Sequence, residues 1–123
     1  MALPVVLQLY SVRDELEADF EGTIAKVKEF GYDGVEFAGL YGKSAEQVKK
    51  ILADAGLTPV SAHVPLDELL SDTQAVVATY KEIGCKYIAV PYLPEDRRPG
   101  TEGFDRTIED IKKIADVCNE QGI

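Results

Sequence analysis

The stretch EFGYDGVEF, residues 29–37, leads from a polar, helix-like segment through Gly31 into a short apolar run. A glycine directly after a helix adopts the left-handed conformation that closes the last turn, and an apolar run rich in β-branched and aromatic residues is typical of a strand. The same order returns in DAGLTPVSAH (54–63), EIGCKYIAVP (82–91) and NEQGI (119–123). The sequence therefore predicts four helix-to-strand junctions, which lie at Gly31, Gly56, Gly84 and Gly122.

The spacing of these junctions favours one fold class. They lie between 25 and 38 residues apart, the length of one strand-helix unit. Strict alternation of strands and helices predicts a parallel sheet, either half of a (β/α)8 TIM barrel or a doubly wound open sheet. The dinucleotide-binding open sheet needs a glycine-rich turn after its first strand, and SVRDELEAD (11–19) has no glycine. We predict the (βα)4 half of a barrel, with residues 1–123 as a single partial domain that ends before strand five, because a complete barrel needs about 250 residues.

Hydrophobic periodicity places the individual elements. Strands are predicted at 5–10, 34–38, 58–64 and 86–92, and helices from about 19, from 44, at 72–83 and from 104. Ser44 and Gln47 have the spacing of a capping box at the start of the second of these helices. The last helix is expected to bury one stripe of side chains, formed by Phe104, Ile108, Ile111, Ala115 and Cys118.

Composition narrows the classes of partner and the compartment. The net charge of −9 and the pI near 4.5 disfavour nucleic acid, since a phosphate backbone would be repelled. The apolar run near the amino terminus is too short for a signal peptide or a membrane span, so we expect a cytoplasmic protein with no membrane partner. Cys85 and Cys118 lack the spacing of a zinc or redox motif and are expected to be buried free thiols.

Side-chain alternation along three strands predicts where polar groups meet. In a parallel barrel the functional face lies at the carboxyl ends of the strands. The residues expected to point towards the barrel axis there are Gln8, Tyr10, Glu36, Ser61 and His63. A carboxylate and an imidazole are costly to remove from water without a partner, so their convergence indicates a polar ligand.

Each candidate also has a purely structural interpretation. Glu36 could cap a loop amide, and His63, the single histidine of the chain, could be a hydrogen-bonded core residue. Tyr92 is interpreted as part of a cavity wall. The charged run 95–98 is interpreted as a solvated loop, with Arg97 or Arg98 as an alternative ligand for an anionic group.

The chain as a whole resembles the N-terminal half of the sugar phosphate isomerase/epimerase family, within the xylose-isomerase-like barrels. The resemblance rests on the order and spacing of LQLYSVRD (7–14), DFEGTIAKVKEFGYDGVEFAGLYG (19–42), LTPVSAHVPLDEL (57–69) and GCKYIAVPYLP (84–94). It implies a parent enzyme that isomerises or epimerises a sugar or sugar phosphate with the help of a divalent metal, Mn, Mg or Zn. In that family the metal ligands lie mainly on strands five to eight, so no metal is expected on residues 1–123 alone.

The resemblance also assigns roles to residues. His63 corresponds to the third-strand histidine of the family and Glu36 to its second-strand glutamate, which implies that both act on the substrate as catalytic groups. The residues expected to bind the substrate are Gln8, Tyr10, Ser61 and Tyr92. Related barrel nucleases bind zinc through a third-strand histidine, which gives His63 a minor alternative role as a metal ligand. A second hypothesis is a non-catalytic half-barrel that forms a homo-oligomer to cover its open edges.

Overall fold

A computed structural model of the chain describes residues 2–123. The strands are β1 (Val6–Gln8), β2 (Gly34–Ala38), β3 (Thr58–His63) and β4 (Tyr87–Ala89). The helices are α1 (Arg13–Ala18), α2 (Phe20–Glu29), α3 (Ala45–Ala55), α4 (Leu66–Ser71), α5 (Thr73–Ile83) and α6 (Phe104–Gln121). Short 3-10 turns at Leu9–Val12 and Glu95–Arg97 follow β1 and β4. Of the helices within residues 2–123, none is long and apolar enough to cross a membrane.

The four strands form one parallel sheet in the order β1-β2-β3-β4. Sequential neighbours joined by helical crossovers are the arrangement of a barrel wall, so the predicted (βα)4 architecture is confirmed. Within residues 2–123, β1 pairs only with β2, and β4 pairs only with β3. Both outer strands therefore leave one edge open.

A β-bulge in β3 sets which side chains share the inner face. Val35 pairs with Pro59, whereas the next residue, Glu36, pairs with Ser61, so Val60 is an extra residue in β3. A bulge shifts the facing of every residue that follows it. Because of this shift Ser61 lies directly beside Glu36 on the sheet, rather than beside the buried Phe37.

The hydrophobic core lies between the outer face of the sheet and the helices. Val35, Phe37 and Ala62 are completely buried on that face. The helices cover them with apolar stripes, of which Ile24 in α2 and Val48 in α3 are also fully buried. The helix boundaries that the sequence predicted from a capping box or a junction glycine are confirmed. The Ser44 capping box is present, and all four junction glycines have positive φ.

Two strands are shorter than the sequence predicted. β1 ends at Gln8, because the Gln8 side chain accepts a hydrogen bond from the backbone N–H of Tyr10 and starts the 3-10 turn. Tyr10 therefore lies outside the sheet, and its assignment to β1 was wrong. β4 ends at Ala89, two residues before Pro91, which has no N–H to donate to a neighbouring strand.

Two predictions about helices need correction. The short helices α1 and α4 were not predicted. In α6 the buried side chains are Thr107 and Ile114, whereas Ile108 is 37% exposed and Ala115 is also exposed. The predicted stripe of α6 runs along an open groove beside β4, where its members Ile111, Ala115 and Cys118 form part of the lining.

Candidate functional site

Four polar side chains meet at the carboxyl ends of β1, β2 and β3, around Glu36. Gln8 Nε2 donates to Glu36 Oε1 at 2.7 Å, and the Ser61 hydroxyl donates to Oε2 at 2.5 Å. His63 Nε2 lies 3.1 Å from Oε1. The side chains of His63 and Glu36 are 35% and 25% exposed, so the cluster lies at the rim of the sheet and is reached by solvent. The structure thus brings together four of the predicted site residues.

The hydrogen bonds give Glu36 and His63 different chemical capacities. Both oxygens of Glu36 already accept from protein donors. His63 uses Nε2 for Glu36, and in a neutral imidazole with its proton on Nε2 the other nitrogen, Nδ1, is an acceptor. No protein hydrogen bond to Nδ1 is present within residues 2–123. Glu36 is therefore suited to orient His63, and His63 is suited to meet a ligand.

A cavity of about 430 Å³ adjoins this cluster, and His63 is the member of the cluster that lines it. Its size is within the range of small-molecule sites. Its walls come from the loops after β1 to β4 and from α4, and the lining consists of Tyr10, Ala38, Gly39, His63, Pro65, Glu68, Pro91 and Tyr92. The cavity therefore combines an apolar and aromatic wall with a few polar groups, the usual composition of a site that binds and orients a small polar molecule.

Two exposed tyrosines line the cavity, one after β1 and one after β4. Tyr10 is 59% exposed and Tyr92 is 65% exposed. The Arg13 guanidinium lies 4.3 Å from the centre of the Tyr10 ring, and Arg13 Nη1 donates to the Tyr10 carbonyl oxygen at 2.9 Å. Tyr10 thus lines the cavity as predicted, although it does so from a 3-10 turn.

Comparison with known families gives this geometry a context. The family described as xylose isomerase-like TIM barrel matches residues 24–123, which is most of the chain. The chain belongs to the xylose isomerase-like TIM barrel family. The resemblance recognised in the sequence is therefore confirmed at the level of this family. A search among curated proteins gave no match.

A solved structure supports the half-barrel architecture of this xylose isomerase-like chain. It is a sugar phosphate isomerase/epimerase from Parabacteroides distasonis, with a TM-score of 0.72 and 18% sequence identity. The match covers 98% of this chain and 49% of the other, so this chain spans about half the length of its structural relative. At this identity the comparison establishes a shared fold, and the fold is that of half a TIM barrel.

Glu68 is a cavity residue that the sequence analysis missed. It lies in α4, and the pattern of the segment PLDELL (65–70), with Leu66 and Leu69 buried three residues apart, was the available signal for this short helix. Glu68 is an exposed residue that lines the cavity. Burial raises the pKa of Tyr80, and the negative charge of Glu68 adds to that shift.

Arg97 does not occupy the role predicted for it in this xylose isomerase-like barrel. Its Nη2 lies 2.6 Å from Asp110 Oδ2, and its Nε donates to the Thr107 hydroxyl at 2.8 Å. The side chains of Arg97 and Asp110 are each only 15% exposed, so the interpretation of this residue as part of a solvated loop was wrong. The pair fixes the loop that carries Tyr92 onto α6, and Arg97 is not available to a ligand.

The residues of this chain do not fit a divalent metal site by themselves. Within residues 2–123, no three His, Cys, Asp or Glu side chains are grouped closely enough to hold a metal ion. Glu36 and His63 are the two candidate ligands in the cluster, and the hydrogen bonds from Gln8 and Ser61 occupy both oxygens of the Glu36 carboxylate. We therefore derive no chemical step of this chain through a metal.

Proposed function

We propose that this chain forms the substrate-orienting half of an isomerase or epimerase that acts on a sugar or sugar phosphate. The observation that carries the proposal is the Glu36–His63 pair, in which Gln8 and Ser61 hold Glu36 and His63 lines a cavity of ligand size. Family membership supports it, because the same barrel face is where TIM-barrel enzymes place their chemistry. A cytoplasmic location, suggested by composition, is part of the same proposal.

In this proposal the two catalytic candidates act together but differently. Isomerisation and epimerisation move a proton at a carbon next to a carbonyl group. His63 Nδ1 accepts a hydrogen bond from a substrate hydroxyl or takes up its proton, and Glu36 stabilises the imidazole in the required tautomer and orientation. Gln8 and Ser61 keep Glu36 in place, and the rings of Tyr10 and Tyr92 confine the sugar.

A divalent metal, Mn, Mg or Zn, is proposed for the parent enzyme and not for this chain alone. Such an ion would stabilise negative charge that develops on substrate oxygens. Its ligands would have to come mainly from residues outside this chain, since the described residues offer no suitable group. The minor alternative, His63 as a ligand, would require His63 Nε2 to leave Glu36, or Nδ1 to bind the ion.

Proton exchange with solvent tests the proposal. A protein that carries this chain within a complete barrel is incubated in D₂O with Mn²⁺ and a panel of aldoses, ketoses and their phosphates, and deuterium next to the carbonyl is read by NMR. We expect incorporation into at least one sugar, reduced tenfold or more in Glu36→Gln and His63→Ala, because a positioned acid or base contributes about 10²–10⁴-fold. Asp67→Asn, an exposed residue outside the cavity, is the control. If Glu36→Gln and His63→Ala both incorporate deuterium as fast as the wild-type protein, Glu36 and His63 have a structural role.

A second candidate function is a non-catalytic half-barrel that assembles with a second copy. It is supported by apolar grooves beside both open strands. The groove beside β4 includes Ile88 and Val90, and the groove beside β1 includes Leu7 and Val12. Glu15 also lines the second groove. Asp19 and Lys26 line the second groove as well, and Lys86 lines the first, so Lys86 of one copy could pair with Glu15 or Asp19 of the next if the β4 and β1 edges approached.

A further inference from the structure

The walls of the cavity carry no positively charged side chain. Of its lining residues within 2–123, none is a lysine or an arginine. Proteins hold phosphate groups mainly with arginine, lysine or clusters of backbone N–H groups at a helix start. The polar side chains of this cavity are an imidazole, a carboxylate and two phenols, contributed by His63, Glu68, Tyr10 and Tyr92. The start of α4 also lies at the wall, but this helix spans only six residues and places the Glu68 carboxyl group in its own first turn.

The arginines that flank the cavity in the sequence are engaged elsewhere. Arg13 stacks on the Tyr10 ring and donates to the Tyr10 carbonyl oxygen. Arg97 forms the ion pair with Asp110, and Arg98 Nε donates to the Leu93 carbonyl oxygen at 2.9 Å. None of the three guanidinium groups belongs to the cavity lining, so the walls themselves offer a phosphate no cationic partner.

Glu68 adds a negative charge that other protein groups do not offset. Within residues 2–123 its carboxylate has no ion pair, in contrast to Glu36, which accepts two hydrogen bonds and lies 3.1 Å from His63 Nε2. A carboxylate accepts hydrogen bonds from sugar hydroxyls, but it repels a phosphate, and the repulsion grows as water leaves the site. Like-charge juxtaposition of this kind is a means of rejecting a competing ligand.

We propose that the cavity takes an uncharged sugar in preference to a phosphorylated one, and that Glu68 is the residue that makes this discrimination. The proposal rests on the proposed function, of which it specifies the substrate class. The flat apolar side of a sugar lies against the Tyr10 or Tyr92 ring, and its hydroxyls bond to His63 and Glu68.

A titration with matched pairs of ligands tests this. Glucose and glucose 6-phosphate, then fructose and fructose 6-phosphate, are added to the 123-residue chain, and binding is followed by NMR at the signals of His63, Tyr10 and Tyr92. We expect the phosphorylated member of the better-binding pair to bind roughly fivefold more weakly, the effect of one charge contact in water. Glu68→Gln should bring the two affinities to within twofold, and Glu68→Lys should reverse their order. Asp67→Asn, on the same helix but outside the cavity, should leave the wild-type ratio unchanged.

The outcomes separate the two proposals. If a neutral sugar binds and its phosphate binds equally well or better, the substrate class is wrong while the proposed function stands. If the ratio persists in Glu68→Gln, the role of Glu68 is wrong. If neither member of either pair changes the signals of His63, Tyr10 or Tyr92, the inference is wrong, whereas the proposed function is decided separately by deuterium exchange in the complete barrel.

Discussion

Among single residues, Glu36 connects the strands to the cavity. Its carboxylate accepts hydrogen bonds from Gln8 in β1 and from Ser61 in β3, and it lies 3.1 Å from His63 Nε2. The two donors hold the carboxylate in one orientation, which in turn orients the imidazole beside it. Alternation within each strand predicted that these side chains share the inner face, and the bulge at Val60 brings Ser61 into register with Glu36. The division of roles between Glu36 and His63 depends on hydrogen bonds that the sequence pattern does not contain.

Cys85 gives a prediction about alkaline stability. Burial raises the pKa of its thiol to about 12, from an ordinary value of 9.0. Below pH 9 both the folded and the unfolded chain keep this proton, and between pH 9 and 12 only the unfolded chain loses it, so the free energy of unfolding falls as the pH rises. We expect urea midpoints to decrease between pH 9 and 10.5, and to decrease less in Cys85→Ala. A midpoint that rises over this interval in the wild-type chain would contradict the buried, protonated thiol.

The two cysteines should also differ in reactivity, which gives an independent check of their burial. Cys85 is buried, as predicted, whereas Cys118 is only partly buried, at the groove beside β4. Iodoacetamide at pH 8 is expected to label Cys118 first, because roughly one Cys85 in ten thousand is a thiolate at that pH.

The strands and helices show which local signals were reliable. Helices with an identifiable cap, such as α3 with Ser44 and Gln47, begin where the sequence predicted. Errors fall where a side-chain hydrogen bond, a bulge or a very short helix decides the local structure. The Gln8 side chain ends β1, the bulge at Val60 has no sequence signature of its own, and Glu68 was missed because α4 is only one and a half turns long.

The ion pair between the β4 loop and α6 gives a prediction about stability. Arg97 and Asp110 are mostly removed from solvent, so Asp110→Asn leaves a guanidinium without its partner. We expect a loss of about 2–4 kcal/mol in the free energy of unfolding, somewhat below the cost of breaking a fully buried pair. The exposed pair Lys26–Glu29 is the control, and Glu29→Gln should change stability by less than about 0.5 kcal/mol.

Chemical denaturation of single and double variants separates charge from packing. The double variant Arg97→Met with Asp110→Leu should recover most of the stability lost in Asp110→Asn, since two apolar groups replace two paired charges. Equal destabilisation by Asp110→Asn and Glu29→Gln would show that the Arg97–Asp110 pair does not hold the loop.

For the whole molecule, the two open edges are the dominant feature. Tyr87, on the inner face of β4, is 65% exposed, and Ile108 of α6 is 37% exposed. Exposed apolar surface beside an unpaired strand favours association. The sequence predicted the open edges from the number of strand-helix units, but it did not predict that the stripe of α6 would face a groove.

Association of the isolated chain is therefore expected. We predict a homodimer or larger oligomer in which the β1 edge of one copy meets the β4 edge of the next, rebuilding an eight-stranded wall. Sedimentation equilibrium over a concentration series measures this directly. A mass of 13.5 kDa at all concentrations would remove the assembly hypothesis. The net charge of −9 opposes association, so the dimer fraction should increase with salt.

His63 is the group that we propose meets the ligand. The chain has a single histidine, so its imidazole NMR signals are unambiguous. Two-dimensional ¹⁵N NMR of the side chain, recorded above the titration range of histidine, reports which nitrogen carries the proton. We predict protonation at Nε2, with Nδ1 as the acceptor, and a change in the Nδ1 shift when a sugar is added. A proton on Nδ1, or an Nδ1 signal that does not respond to any sugar at saturating concentration, would contradict the role of His63 Nδ1 as the acceptor that meets the ligand.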